Sequence, residues 1–171
     1  MAAPYRLREK SRLEEDENEG WSRWNRAMVP PFVEDRNLEP RGPNQDGFIC
    51  SSIRSAFPDQ ARHCGIYEWR AKGIFDGQPN YVVYVGSTCR EKPGALKDRI
   101  LEYCNDGSHK ERLINDALRK GYELWVRVKI VEGSHRSKKD AEEMENDLLD
   151  SYDYAWNVRN NGRIRNILPR P

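Results

Sequence analysis

Apolar positions along this chain change their period several times, and each change marks an element. Gly65-Ile66-Tyr67-Glu68-Trp69 and Tyr81-Val82-Val83-Tyr84-Val85-Gly86 are runs rich in aromatic and β-branched residues, the composition of strands. The link between them carries Gly73, Gly77 and Pro79 and is too short for a crossover helix, so an antiparallel hairpin is expected. From Ala95 to Cys104, Leu96, Ile100, Tyr103 and Cys104 recur at helical spacing, with Arg99 on the flank of the stripe. A second helix is expected with Ser108 as its cap, Leu113, Ile114, Ala117 and Leu118 as its stripe, and Lys120-Gly121 as its end. Leu124, Val126, Val128 and Ile130 then alternate, which predicts a third strand. A last helix, capped by Ser137 and running to about Tyr152, gathers Ala141, Met144, Leu148, Leu149 and Tyr152 on one apolar face.

The first 60 or so residues lack this regularity. Glu14-Glu15-Asp16-Glu17-Asn18-Glu19-Gly20 is an acidic run of the kind found on solvated helix faces or unpacked segments, and Pro30-Pro31 and Pro40-Arg41-Gly42-Pro43 punctuate the chain beyond it. Trp21 and Trp24, one helical turn apart, either pack on the next domain or stack on bases; packing is the commoner use of Trp. The chain thus divides into an N-terminal extension, residues 1–62, whose Trp21, Trp24 and Phe32 are expected to dock, and a domain over residues 63–171 with a basic tail.

Composition narrows the reading further. Charged residues at 33% nearly match hydrophobic ones at 37%, and a mean hydropathy of −0.96 implies that part of the chain is unpacked. A net charge of +1 means that any nucleic-acid contact must come from local basic clusters. The four cysteines, at 50, 64, 89 and 104, form no C-x-x-C pair, which argues against a zinc site and leaves reduced thiols as the expectation. Met1 to Glu19 has no apolar core and no apolar run nears membrane-spanning length, so an intracellular protein is expected.

Glu145 is the residue most out of place, because it falls inside the apolar face of the last helix. A carboxylate there costs stability unless it is paired, bound to metal or set at the rim of a cleft. A buried ion pair with Arg99 or another base is the structural alternative, and a stripe-edge Arg is ordinarily a snorkelling side chain. Tyr67 and Tyr84 are expected to face each other across the hairpin, where aromatic pairs commonly just stabilise a sheet.

Taken in order, Gly65-Ile66-Tyr67, Tyr84-Val85-Gly86-Ser87-Thr88, Arg99, Glu145-x-x-Leu148-Leu149 and Asn157 resemble the GIY-YIG nuclease family, over about residues 64–160. The second signature reads Y-V-G, and Asn157 stands 12 residues after Glu145, which also looks like the family spacing. Arg90-Glu91-Lys92-Pro93-Gly94 departs from the pattern as an insertion longer than in the shortest members. The resemblance implies an α+β fold with a three-stranded antiparallel sheet flanked by helices. Asp153-Tyr154-Ala155-Trp156-Asn157 with Asn161-Gly162 is also similar to the GIY-YIG portion of plant effector of transcription proteins, which would imply a nuclear, regulatory setting, although the cysteine-rich repeats of those proteins are absent.

The chemistry implied by the resemblance is hydrolysis of DNA phosphodiesters at a single divalent ion, Mg²⁺ or Mn²⁺, with Glu145 as its one protein ligand. Tyr67 would take the proton of the attacking water, Tyr84 would tune that phenol through a hydrogen bond, and Arg99 would donate to phosphate oxygens. Tyr103 would make a supporting contact with phosphate or water, and Asn157 would fix the site through backbone hydrogen bonds. Ser87, His109, Lys138, Lys139, Arg159, Arg163 and Arg165 are the candidates for contact with DNA. Without a helix-turn-helix or zinc finger, targeting would fall to the N-terminal region or to another protein. Two alternatives stay open: a regulator that binds DNA but cleaves little or not at all, and a protein-interaction module with these residues as its core.

Overall fold

The computed structural model describes residues 20–57, 64–90, 94–105, 109–131, 137–158 and 164–171. Among the described residues six strands are present: β1 (Asn25–Val29), β2 (Leu38–Pro40), β3 (Phe48–Cys50), β4 (Cys64–Gly73), β5 (Asn80–Cys89) and β6 (Tyr122–Ile130). The α-helices described with them are α1 (Ala95–Cys104), α2 (Glu111–Arg119) and α3 (Ser137–Ser151), with a 3₁₀ turn at Ser51–Ser55. The hairpin, the third strand and the helices stand where the sequence pattern puts them. Ser108, the expected cap of α2, lies outside the described residues.

All pairings are antiparallel, and the strand order is β2-β3-β1-β6-β4-β5. The expectation of a three-stranded sheet is therefore corrected to six, because the segment before Cys64 adds β1, β2 and β3 at the open edge of β6. Burial explains the addition: Ala27, Met28, Val29 and Ile49 are fully buried, and Met28 and Ile49 join the main core with Leu124 and Val126. Strands of five residues (β1) and three (β2 and β3) carry too little alternation to be recognised before their partners are known.

The sheet separates two layers. Tyr67, Trp69 and Ala71 of β4 with Leu124, Val126 and Val128 of β6 face α1 and α2 through Ile100, Tyr103, Ala117 and Leu118. Ile66 and Val85 face the opposite way, toward Ala141 and Leu149 of α3. On that second face Glu68 and Arg127 are cross-strand partners, both fully buried, with Arg127 Nε donating to Glu68 Oε1 at 2.8 Å. Tyr154 Oη donates to the other carboxylate oxygen at 2.7 Å, and the rings of Trp21 and Trp24 lie 4.3 and 4.8 Å from the guanidinium carbon. The two tryptophans thus cover a buried ion pair. Phe32 is half exposed and stacks on Phe75 at 5.5 Å.

Cys64 and Cys89, opposite each other at the ends of β4 and β5, are joined by a disulfide, which corrects the expectation of four reduced thiols. A separation of 25 residues hides the fact that hairpin register places them side by side. Cys50 and Cys104 are free and buried. Among the described residues no helix is long and apolar enough to cross a membrane.

Candidate active site

The sheet ends at β5, and an edge strand presents backbone groups that need partners. Here the segment after α3 supplies them. Asn157 Nδ2 donates to the Val85 carbonyl at 2.8 Å while its Oδ1 accepts from the Val85 N–H at 3.0 Å, and Trp156 N–H donates to the Val83 carbonyl at 2.8 Å. One side-chain amide thus takes the place of a neighbouring strand and fixes β5 next to Gly86. Lys110, itself buried, donates to the Trp156 carbonyl at 2.6 Å and lies 5.0 Å above the Tyr84 ring.

Gly86 is the register partner of Tyr67, and the phenol lies across it: a Cβ at Gly86 would meet Tyr67 Oη at 2.5 Å. A bulge opposite Trp69 and Arg70 lets Val83 and Tyr84 both enter the core on the α1 side. Tyr67 and Tyr84 are consequently diagonal neighbours, with ring centroids 6.4 Å apart, and Tyr103 of α1 stands between their hydroxyls. Tyr67 Oη lies 2.9 Å from Tyr103 Oη, which donates to Tyr84 Oη at 3.3 Å. The expected hydrogen bond from Tyr84 to Tyr67 therefore runs through Tyr103. Beyond Tyr84, the exposed His109 places Nε2 3.3 Å from the Tyr84 hydroxyl.

Arg99, one turn before Tyr103 on α1, reaches the same cluster. Its Nε donates to Tyr67 Oη at 3.3 Å, one terminal nitrogen to Tyr103 Oη at 3.2 Å and the other to Glu102 at 2.7 Å. Glu102 also pairs with Arg90 at 2.8 Å, so one carboxylate joins two arginines. The ion-pair partner of Arg99 among the described residues is thus Glu102, not Glu145. Glu102 was not singled out from the sequence, since an acid three residues after an arginine is ordinary on a helix surface.

From the other side of the sheet α3 brings Glu145, only 8% exposed, with both carboxylate oxygens 3.4 Å from Ser87 Oγ. Ser87 faces α3 while Tyr67 faces α1, so the two faces of the sheet meet at the edge of β5. A cavity of about 300 Å³ opens there, lined by Ser87, Arg90, Arg99, Lys138 and Glu142. Among the described residues no three His, Cys, Asp or Glu side chains gather into a metal-binding group. The donors on offer are one buried carboxylate and one hydroxyl, which suits a hard cation that keeps most of its water and does not suit a zinc cage.

Burial sets the titration of the cluster. It pushes the Tyr67 phenol upward, against the pull of Arg99 and the Tyr103 hydroxyl, and pushes Tyr84 to about 12 with help from neighbouring Tyr67 and Glu145. Tyr103 moves in the same direction for the same first reason. Burial opposes the charge of Arg99, but Tyr67 and Glu102 outweigh it and keep the cation firmly charged. Burial, Lys110 and Arg99 hold the His109 imidazole below its ordinary value, so it is neutral at pH 7.

The remaining sequence candidates are scattered. Lys138 and Lys139 are exposed at the start of α3, where Lys139 faces Glu143 at 3.9 Å. Arg165 is taken up by Asp153. Arg159 and Arg163 lie outside the described residues. Arg41, missed in the sequence, is 7% exposed and donates to the carbonyls of Cys104 at 2.7 Å and Asn105 at 3.2 Å. It thereby caps the C-terminal end of the helix that carries Arg99 and Tyr103.

In comparison with known proteins, the family model described as GIY-YIG domain-containing protein matches residues 55–167. No curated protein and no solved structure matches the chain.

Proposed function

Since that match spans more than half of its length, the chain belongs to the GIY-YIG domain family, and from this premise we propose that it is a DNA endonuclease dependent on one divalent ion, Mg²⁺ or Mn²⁺. The observation that carries the reading is the convergence of Tyr67, Arg99 and Glu145, from β4, α1 and α3, on the open edge of β5. The cavity opens beside them, with Arg99 and Ser87, the partner of Glu145, in its lining.

Hydrolysis of a phosphodiester requires a nucleophilic water, relief of charge on the phosphate and help for the departing 3′ oxygen. Glu145, steadied by Ser87, would hold the ion. When bound, that ion supplies charge neutralisation at the phosphate and at the departing oxygen. Arg99 uses three of its five N–H donors on Tyr67, Tyr103 and Glu102, which leaves two for non-bridging phosphate oxygens. Tyr67 takes the proton of the attacking water. Asn157 and Lys110 hold β5 and the following loop so that Gly86 stays beneath the Tyr67 hydroxyl.

Lys138 at the cavity rim is the described basic residue best placed to meet the DNA backbone. The residues before the family match, with β1 to β3 and Arg41, are the part of the chain available for targeting. Incubation with supercoiled plasmid tests the proposal. Nicked or linear product in Mg²⁺ or Mn²⁺, lost with EDTA and with Glu145→Gln, is the expected result. Tight binding with no product under any metal would instead make the protein a DNA-binding regulator.

A further inference from the structure

The buried phenol presents a chemical difficulty that the geometry resolves. Tyr67 is 1% exposed and its hydroxyl resists ionisation, so a free phenolate waiting for water is not the form the site favours. Hydrogen-bond direction shows another way. Tyr103 gives its one hydroxyl hydrogen to Tyr84, so in the 2.9 Å contact between Tyr67 and Tyr103 the hydrogen belongs to Tyr67. Tyr103 then accepts from both Tyr67 and Arg99, which fills its lone pairs. Tyr84 has its own hydrogen left for Nε2 of His109, which accepts it in the tautomer that carries the ring proton on Nδ1. Tyr67 accepts from Arg99 Nε and keeps one lone pair outside these bonds.

Resting on the nuclease reading, we propose that Tyr67, Tyr103, Tyr84 and His109 form a one-way proton relay, and that His109 is the acceptor that makes Tyr67 an effective base. The attacking water loses a proton to the remaining lone pair of Tyr67 as its oxygen bonds to phosphorus. Tyr67 passes its original proton to Tyr103, Tyr103 passes its own to Tyr84, and Tyr84 passes its own to Nε2 of His109. Each tyrosine gains one proton as it gives one up and so ends neutral, as it began, and His109 becomes an imidazolium. The bond to the 3′ oxygen breaks, that oxygen is protonated from solvent, and exposed His109 returns the gained proton to water. Arg99, which donates to both Tyr67 and Tyr103, holds the first two oxygens in line without being able to take the proton itself.

The charged and titratable groups around the imidazole fit an acceptor that rests neutral. Arg99 of α1 and Lys110 beside it disfavour its charge, and the rings of Tyr84 and Tyr103 pack against it at centroid distances of 6.1 Å each. His109 therefore acts through Tyr84 and touches neither water nor phosphate in this role.

Chemical rescue is the test, with wild-type protein and plasmid in Mg²⁺ as reference. His109→Ala is expected to cleave at least about tenfold more slowly, at the low end of what proton transfer contributes, with unchanged affinity for uncleaved DNA measured in EDTA. Millimolar imidazole should restore much of the rate, since the residue is exposed and its replacement opens a path to Tyr84. Tyr84→Phe, which breaks the relay before its end, should lose as much and gain nothing from imidazole. A His109→Ala protein at full rate overturns the relay, as does a loss that imidazole leaves untouched or one that matches a loss of DNA affinity. Inactive wild-type protein sinks the nuclease reading, and the relay with it. Active wild-type protein with an indifferent His109 sinks the relay alone.

Discussion

Tyr67 and Gly86 occupy one place in the sheet: the phenol of the first lies where a side chain of the second would be, with ring carbons as near as 2.6 Å to the position of a Cβ. The glycine is needed here for space. Its register partner could not otherwise lie flat across β5 and bring its hydroxyl to Tyr103 and Arg99.

Gly86→Ala should therefore act mainly on chemistry. Tyr67 is buried against Trp69 and Tyr103 and cannot move aside freely, so the added methyl displaces its hydroxyl from the relay. Overpacking of this kind costs about 1–3 kcal/mol. Thermal melting should register that modest loss while cleavage falls by at least ~100-fold. A variant that melts lower but cuts at full rate would show that Tyr67 need not lie over residue 86.

Glu145→Gln should abolish metal-dependent cleavage and leave the fold intact. The amide keeps the shape and the contact with Ser87 but loses the charge that would hold a hard cation. Calorimetric titration with Mn²⁺ in the presence of a short DNA duplex should show binding for the wild type and none for the variant. Equal loss of stability and activity would make Glu145 a structural partner instead.

Arg41→Ala should destabilise the domain by about 2–4 kcal/mol, because it strips hydrogen bonds from the carbonyls at the end of α1 and from Asp46. Urea denaturation measures the loss. Since α1 carries Arg99 and Tyr103, the folded fraction should also cleave more slowly. The residue stands before the stretch matched by the family model, so an undiminished protein would separate the N-terminal strands from the working of the site.

The pH profile should have its limb on the acid side. Tyr84 is raised to about 12 and Tyr67 is raised as well, so neither phenol titrates between pH 6 and about 9. His109, held below 6.5 by burial, Lys110 and Arg99, is neutral at pH 7 and gains its proton as the pH falls, after which it cannot accept from Tyr84. The rate should fall on the acid side of the ordinary imidazole value of 6.5 and stay level above 7. In His109→Ala the limb should flatten. A rate that climbs steadily through pH 9 and 10 would point to a phenolate as the base instead.

The local elements were legible because each depends on its own sequence. The period of two in Leu124 to Ile130 and the turn-bounded hairpin need no distant partner to be recognised, and Glu145 shows itself by breaking an apolar stripe. The order of Tyr67, Arg99, Glu145 and Asn157 along the chain likewise carried the family. Chain order says nothing about which hydroxyl lies between which. Tertiary packing decided that Tyr103 separates Tyr67 from Tyr84, that Glu102 and not Glu145 pairs with Arg99, and that His109 ends the row, because these contacts join residues from β4, β5, α1 and the segment before α2. It also decided that Asn25 to Cys50 contributes three strands and a helix cap. Short segments take their structure from the edge they pair with, and the edge of β6 lies about a hundred residues further along the chain.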